Sequence, residues 1–175
     1  MDKNVYVLLL LTAATFGISA VKAEDGTVKF NGNITDEACS VDVKSVNQSI
    51  SMGTVSTSAF KSAGEVAAPT RFSIVLNNCP ASVSSVNASF TGTADQTNTD
   101  LLGLSSDSGA TGVGVAIYES DSKTLIPLRS DSEDLVIKTE AGVNTLNYVA
   151  KYMATASTVT PGTANAAADF TLGYK

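Results

Sequence analysis

The chain has 175 residues, 43% hydrophobic and 16% charged, with no tryptophan and no histidine, a length that suits one domain with a real core. Its net charge of −6 and pI near 4.5 repel a phosphate backbone, and no basic stripe opposes this, so nucleic acid is not expected as a partner. Without histidine the commonest general base and metal ligand are missing, which excludes most hydrolase triads and zinc sites.

Residues 1–23 read as a secretory signal peptide. Lys3 precedes the apolar run Val5 to Leu11, which continues through Ala13, Ala14, Phe16 and Ile18 to the small-x-small pattern Val21-Lys22-Ala23. A membrane anchor is the weaker reading, because the apolar stretch falls short of the ~20 residues of a span and Thr12, Thr15 and Ser19 dilute it. Cleavage after Ala23 leaves a chain starting at Glu24. Only two cysteines follow, Cys39 and Cys79. In an exported chain an isolated pair is most simply one structural disulfide, since a redox pair wants closer spacing and a nucleophilic thiol wants a base.

Period-two patterning then runs almost throughout. In Thr27–Ile34 the residues Val28, Phe30 and Ile34 share one face with Gly32 in the same register, and Thr27, Lys29, Asn31 and Asn33 take the other. Further strands are predicted at Ala38–Lys44, Gln48–Met52, Arg71–Asn77, Ser84–Thr91, Val113–Tyr118, Thr124–Leu128, Asp134–Lys138, Asn144–Ala154 and Ala166–Tyr174. In the last, Ala168, Phe170, Leu172 and Tyr174 face one way. At most one helical turn is expected, near Thr57–Ser62. Short strands separated by clusters such as Ser62-Ala63-Gly64 and Pro161-Gly162 indicate an all-β antiparallel sandwich or barrel.

Candidate chemistry is sparse, and no catalytic residue, cofactor or metal is expected. Asp131-Ser132-Glu133-Asp134 is the only dense group of oxygen ligands, but it lacks the glycine-shaped loop of a calcium site and reads as a solvated turn. Ser105, Ser106 and Ser108 have no nucleophile elbow and no base. Gly109, Gly112 and Gly114 precede a β-type run where a phosphate loop would precede a helix, so they read as glycines that let a loop enter a strand. The sequons at Asn33, Asn47 and Asn87 are expected by chance.

From Gly26 to Lys175 the chain resembles the type 1 fimbrial (pilus) subunits assembled by the chaperone–usher pathway. The residues that carry the resemblance are Gly26-Thr27-Val28-Lys29-Phe30-Asn31-Gly32-Asn33-Ile34, Ala38-Cys39-Ser40-Val41, and Met52-Gly53 leading into Phe60. They continue with Phe72 to Cys79, Phe90-Thr91-Gly92, Gly112 to Tyr118, Leu146 to Tyr152, Val159 to Gly162, and Ala168 to Lys175 with its penultimate Tyr174. The resemblance implies an immunoglobulin-like sandwich that lacks its final strand and is completed by a donated one. It implies a donor extension over 24–37 with Val28, Phe30, Gly32 and Ile34 facing the groove, and a pilin domain over 38–175. It places Ala168, Phe170, Leu172 and Tyr174 at the groove edge and in chaperone recognition, and matches Cys39–Cys79 to the family disulfide. The implied partners are other copies or neighbouring fimbrial subunits, a periplasmic chaperone and an outer-membrane usher, with no small-molecule substrate. The implied role is a structural subunit of a surface fimbrium that supports adhesion. The alternative is a minor, adaptor or receptor-binding subunit near the fibre tip, suggested by the short lead of Glu24-Asp25, whereas the Ala/Thr/Ser-rich composition favours the shaft. A tip adhesin would need a second sandwich, for which the remaining length leaves no room.

Overall fold

β-branched and aromatic residues at every second position give strands only where a neighbouring strand completes the ladder. The computed structural model describes residues 27–32, 38–138 and 142–175, so the signal segment and Ile34 lie outside the described residues. The chain divides into two units, Met1–Ile34 and Thr35–Lys175. In the first, Thr27–Gly32 have no regular secondary structure, and Val28 and Phe30 are 77% and 92% exposed.

The second unit is all-β, with two antiparallel sheets packed face to face. The larger has the order β1 (Ser40–Val41), β2 (Val66–Asn77), β7 (Val143–Ala154), β4 (Val113–Glu119), β5 (Leu125–Ile126); the smaller has β6 (Leu135–Val136), β3 (Ser85–Gly92), β8 (Ala168–Tyr174). Register brings like faces together. Ile74 pairs with Leu146 and Phe72 with Tyr148 across β2 and β7. Val86, Ala88 and Phe90 of β3 stand opposite Tyr174, Leu172 and Phe170 of β8. The core lies between the sheets, with Ile74, Leu76, Val86 and Tyr148 almost fully buried, and Phe72, Phe90 and Tyr148 form an aromatic cluster with centroid separations of 5.1–6.0 Å. The Tyr148 hydroxyl lies 3.0 Å from Ser132 Oγ, which accepts the Ala88 N–H at 2.9 Å. A buried phenol therefore ties one sheet to the other, and burial pushes its pKa up to about 12.

Several predicted strands are shorter or replaced. Ala38–Lys44 gives only Ser40–Val41, because Asp42 turns the chain into a four-residue helix, Val43–Val46, accepting the Lys44 N–H at 2.9 Å as N-cap. Val43, placed in that strand by its alternation, is 83% exposed. The edge of β2 is instead satisfied piecemeal. Asp42 N–H donates to the Val75 carbonyl, Ser45 Oγ accepts the Val75 N–H at 2.9 Å, and Gln48 Nε2 donates to the Ser73 carbonyl at 2.7 Å. Gln48–Met52 forms no strand, and only Leu125–Ile126 and Leu135–Val136 of the two regions after β4 are paired. The helical turn near Thr57 is present as a 3-10 turn at Thr57–Ala59.

Candidate strand-accepting groove

Among the described residues the three shortest edge strands, β1, β5 and β6, have two residues each, while β8 runs for seven and pairs only with β3. A long strand with one unpaired side exposes a row of backbone donors and acceptors. Beside that side lies a cavity of about 770 Å³. Its walls are Ala164–Ala168 with Phe170 on one flank, and Ser45, Val46 and Gln48–Thr54 on the other; its floor is Phe72, Ile74, Phe90, Leu102, Val115 and Ile117. The opening is a gap in a sandwich, floored by the inner faces of both sheets.

β8 records the same gap. Ala168, Phe170, Leu172 and Tyr174 share the inward face, as their alternation predicts, and form one row against β3. In a closed sandwich that row would be buried, yet Phe170, Leu172 and Tyr174 are half-buried and Ala168 is exposed. The cavity reaches from Ala164 to Phe170, while further along, the Tyr174 hydroxyl lies 3.5 Å from the Cys39 carbonyl. The strand end is held by the C-terminal residue: Lys175 N–H donates to the Ser85 carbonyl, and its own carbonyl accepts the Ser84 N–H at 2.7 Å.

The flank opposite β8 hangs from the disulfide. Cys39 and Cys79 are bonded, with their Cα atoms 4.1 Å apart, and join the start of β1 to the end of β2. The other flank is held by a strap of hydrogen bonds between the 105–111 and 160–165 loops. Ala110 N–H donates to the Thr163 carbonyl at 3.0 Å and Thr111 N–H to the Thr160 hydroxyl at 3.0 Å. Here the glycine-rich stretch finds its use. A Cβ on Gly112, whose φ is +74°, would meet the Thr158 carbonyl, and Gly109 packs directly on Gly162.

The residues expected to form a donor set, Val28, Phe30, Gly32 and Ile34, belong to the first unit, Ile34 lying outside the described residues. A Cβ on Gly32 would meet nothing within 4 Å. The signals for the second flank and for the Ala164–Ala167 rim were weak: Ile50 and Met52 alternate but have no ladder partner, and the alanine run carries no pattern.

The acidic cluster is structural. Asp134 pairs with Lys175 Nζ at 2.6 Å and accepts Asn87 Nδ2 at 3.0 Å, and these contacts, the lysine first, hold its carboxyl below the usual carboxylate range. Among the described residues no group of three or more His, Cys, Asp or Glu side chains is placed to hold a metal ion. Nearby Glu119, 8% exposed, accepts the Glu133 N–H at 2.7 Å, but burial outweighs that bond and pushes its pKa up. A raised carboxylate pKa contributes stability at low pH that is lost as the pH rises through the folded-state value. Glu119→Gln therefore lessens the loss of stability between about pH 4 and about pH 7, read as urea midpoints at the two values. An unchanged difference between midpoints removes Glu119 as its source.

The comparisons with known proteins agree with this architecture. The family model for fimbrial proteins matches residues 28–175. A fimbrial subunit type 1 of Salmonella typhimurium is 37% identical over 183 residues, with 100% of this chain and 97% of the relative covered. A probable major fimbrial subunit of Escherichia coli O157:H7 is 36% identical over 177 residues, covering 100% of this chain and 98% of the relative. Among solved structures, a chaperone–usher pilus subunit is 28% identical with a TM-score of 0.65, covering 90% of this chain and 99% of that one. The P pilus rod subunit PapA is 29% identical with a TM-score of 0.64, covering 78% and 99%. The chain belongs to the fimbrial protein family: an immunoglobulin-like structural subunit, not an enzyme, exported through the periplasm to a surface fimbrium.

Proposed function

We propose that the chain is a shaft subunit that polymerises by strand donation, with residues 24–37 of one copy lying in the groove of the next. The observation that carries this reading is the apolar-floored cavity beside the unpaired side of β8. A strand laid there takes up the open backbone groups of β8 and inserts alternate side chains between the sheets, which is β-augmentation. Val28, Phe30 and Ile34 supply those side chains, and each contributes about 1.5–3 kcal/mol when buried, before ordering costs. Gly32 passes where no side chain is wanted. Donation from head to tail is heterologous, so it propagates as an open filament.

In this reading residues 1–23 are a cleaved signal, 24–37 the donor extension and 38–175 the pilin body. A periplasmic chaperone occupies the groove first, contacting Ala168, Phe170, Leu172 and Tyr174, and an outer-membrane usher is where one strand replaces the other. The fibre so built supports adhesion. A shaft position, and not an adaptor one, is favoured by full-length similarity to a relative described as a probable major subunit.

Immunogold electron microscopy of intact cells tests the assignment. Label along the whole length of surface filaments is the expected result. Label only at filament ends assigns an adaptor role, and absence of filament label with soluble periplasmic protein overturns polymerisation.

A further inference from the structure

We infer that Tyr152 is a positioning residue for strand acceptance: by holding the Ala164 carbonyl, its phenol keeps the rim Ala164–Ala167 shaped to receive a strand. The inference rests on the strand-donation reading above. Tyr152 stands on the inner face of β7, opposite Val115 of β4. Its half-buried ring lines the groove, and its hydroxyl donates to the Ala164 carbonyl at 2.8 Å. Burial raises the phenol's pKa, so the donor proton is retained throughout the neutral range.

The rim needs such an anchor. Asn165 is held from outside, where its carbonyl accepts the Ser105 N–H at 2.7 Å and its N–H donates to Ser108 Oγ at 3.0 Å. The ladder to β3 begins only at Ala168, opposite Gly92. Ala166 and Ala167 therefore bridge two fixed points, and the phenol sets the inward position of the first. A rim released from the phenol must be ordered during binding, so the cost falls on association.

The test uses the purified full chain and a fluorescent synthetic peptide with the sequence of residues 24–37. Tyr152→Phe keeps the ring and removes only the donor. It slows peptide association about fivefold, the worth of one ordinary hydrogen bond, leaves dissociation nearly unchanged, and speeds amide exchange at Asn165, whose N–H donates to Ser108 Oγ. Lys151→Met serves as the control for general destabilisation. It lies on the outer face of the same strand, where Nζ donates to the Ser122 carbonyl at 2.6 Å, and it leaves association unchanged. Wild-type association and exchange in Tyr152→Phe overturn the positioning role and leave strand donation standing. A wild-type chain that takes up no peptide overturns strand donation, and the role of Tyr152 with it.

Discussion

Gly32→Arg abolishes filament formation while the variant still folds and co-purifies with its periplasmic chaperone. Two observations separate the effects. A side chain added at Gly32 meets nothing within 4 Å, so the substitution creates no local clash in the free chain. The groove and its walls are made entirely of residues from Ser45 onward, so the body proposed to accept a strand is unchanged. The variant can receive but not donate. Arginine in the register of Val28 and Phe30 would carry its guanidinium towards Phe72, Phe90 and Ile117, a floor whose apolar faces leave a charge without partners. Filament yield from cells producing only the variant, with chaperone co-purification as the folding control, checks this. Normal filaments would show that Gly32 does not face the groove, and would shift the inserted set by one residue onto Lys29 and Asn31.

How much of the molecule its sequence displays depends on which property is asked for. Alternation encodes a face, and wherever a neighbour completes the ladder the face was legible. β3, β4, β7 and β8 lie within two residues of their predicted bounds, β2 ends where predicted but begins at Val66, before Arg71 and across a register shift, and Phe170 stands opposite Phe90 on the inner side as its period requires. Alternation does not encode a partner. Val41 and Val43 share the pattern of Ile74 and Leu76, yet Asp42 closes a cap between them and Val43 points to solvent. Ile50 and Met52 alternate as well, but they flank the groove on the side away from β8 and remain unpaired. Anchors that join a side chain to a distant carbonyl leave no local trace: Tyr152 to Ala164 spans a loop of its own making, and the glycine contact at Gly109 and Gly162 joins two separate loops. An antiparallel sandwich or barrel is therefore readable from residues, whereas the choice of a sandwich and the gap in it are reached only through family resemblance.

Removing the disulfide should cost about as much as truncating a large side chain in the core. The bond closes a separation of 40 residues, for which the chain-entropy model gives about 4 kcal/mol. That is a large share of the roughly 5–15 kcal/mol by which domains are ordinarily stable. The loss is also uneven. β1 pairs with β2 through only two residues, Ser40 with Asn77 and Val41 with Leu76, so the chain from Ser40 to Thr54 is tethered chiefly by Cys39 and by the side-chain bonds of Ser45 and Gln48. That stretch carries one whole flank of the groove. The double variant Cys39→Ala, Cys79→Ala, which leaves no free thiol, is expected to unfold about 2 M lower in urea. It should also lose uptake of the 24–37 peptide under conditions where most molecules remain folded. Reduced wild type should behave as the double variant does, because the same constraint is removed from both. A midpoint shift corresponding to less than about 1 kcal/mol would mean that the unfolded chain is already restrained over this loop. Peptide uptake at wild-type strength would mean that the β1 pairing and the bonds of Asp42, Ser45 and Gln48 hold the flank in place without the disulfide.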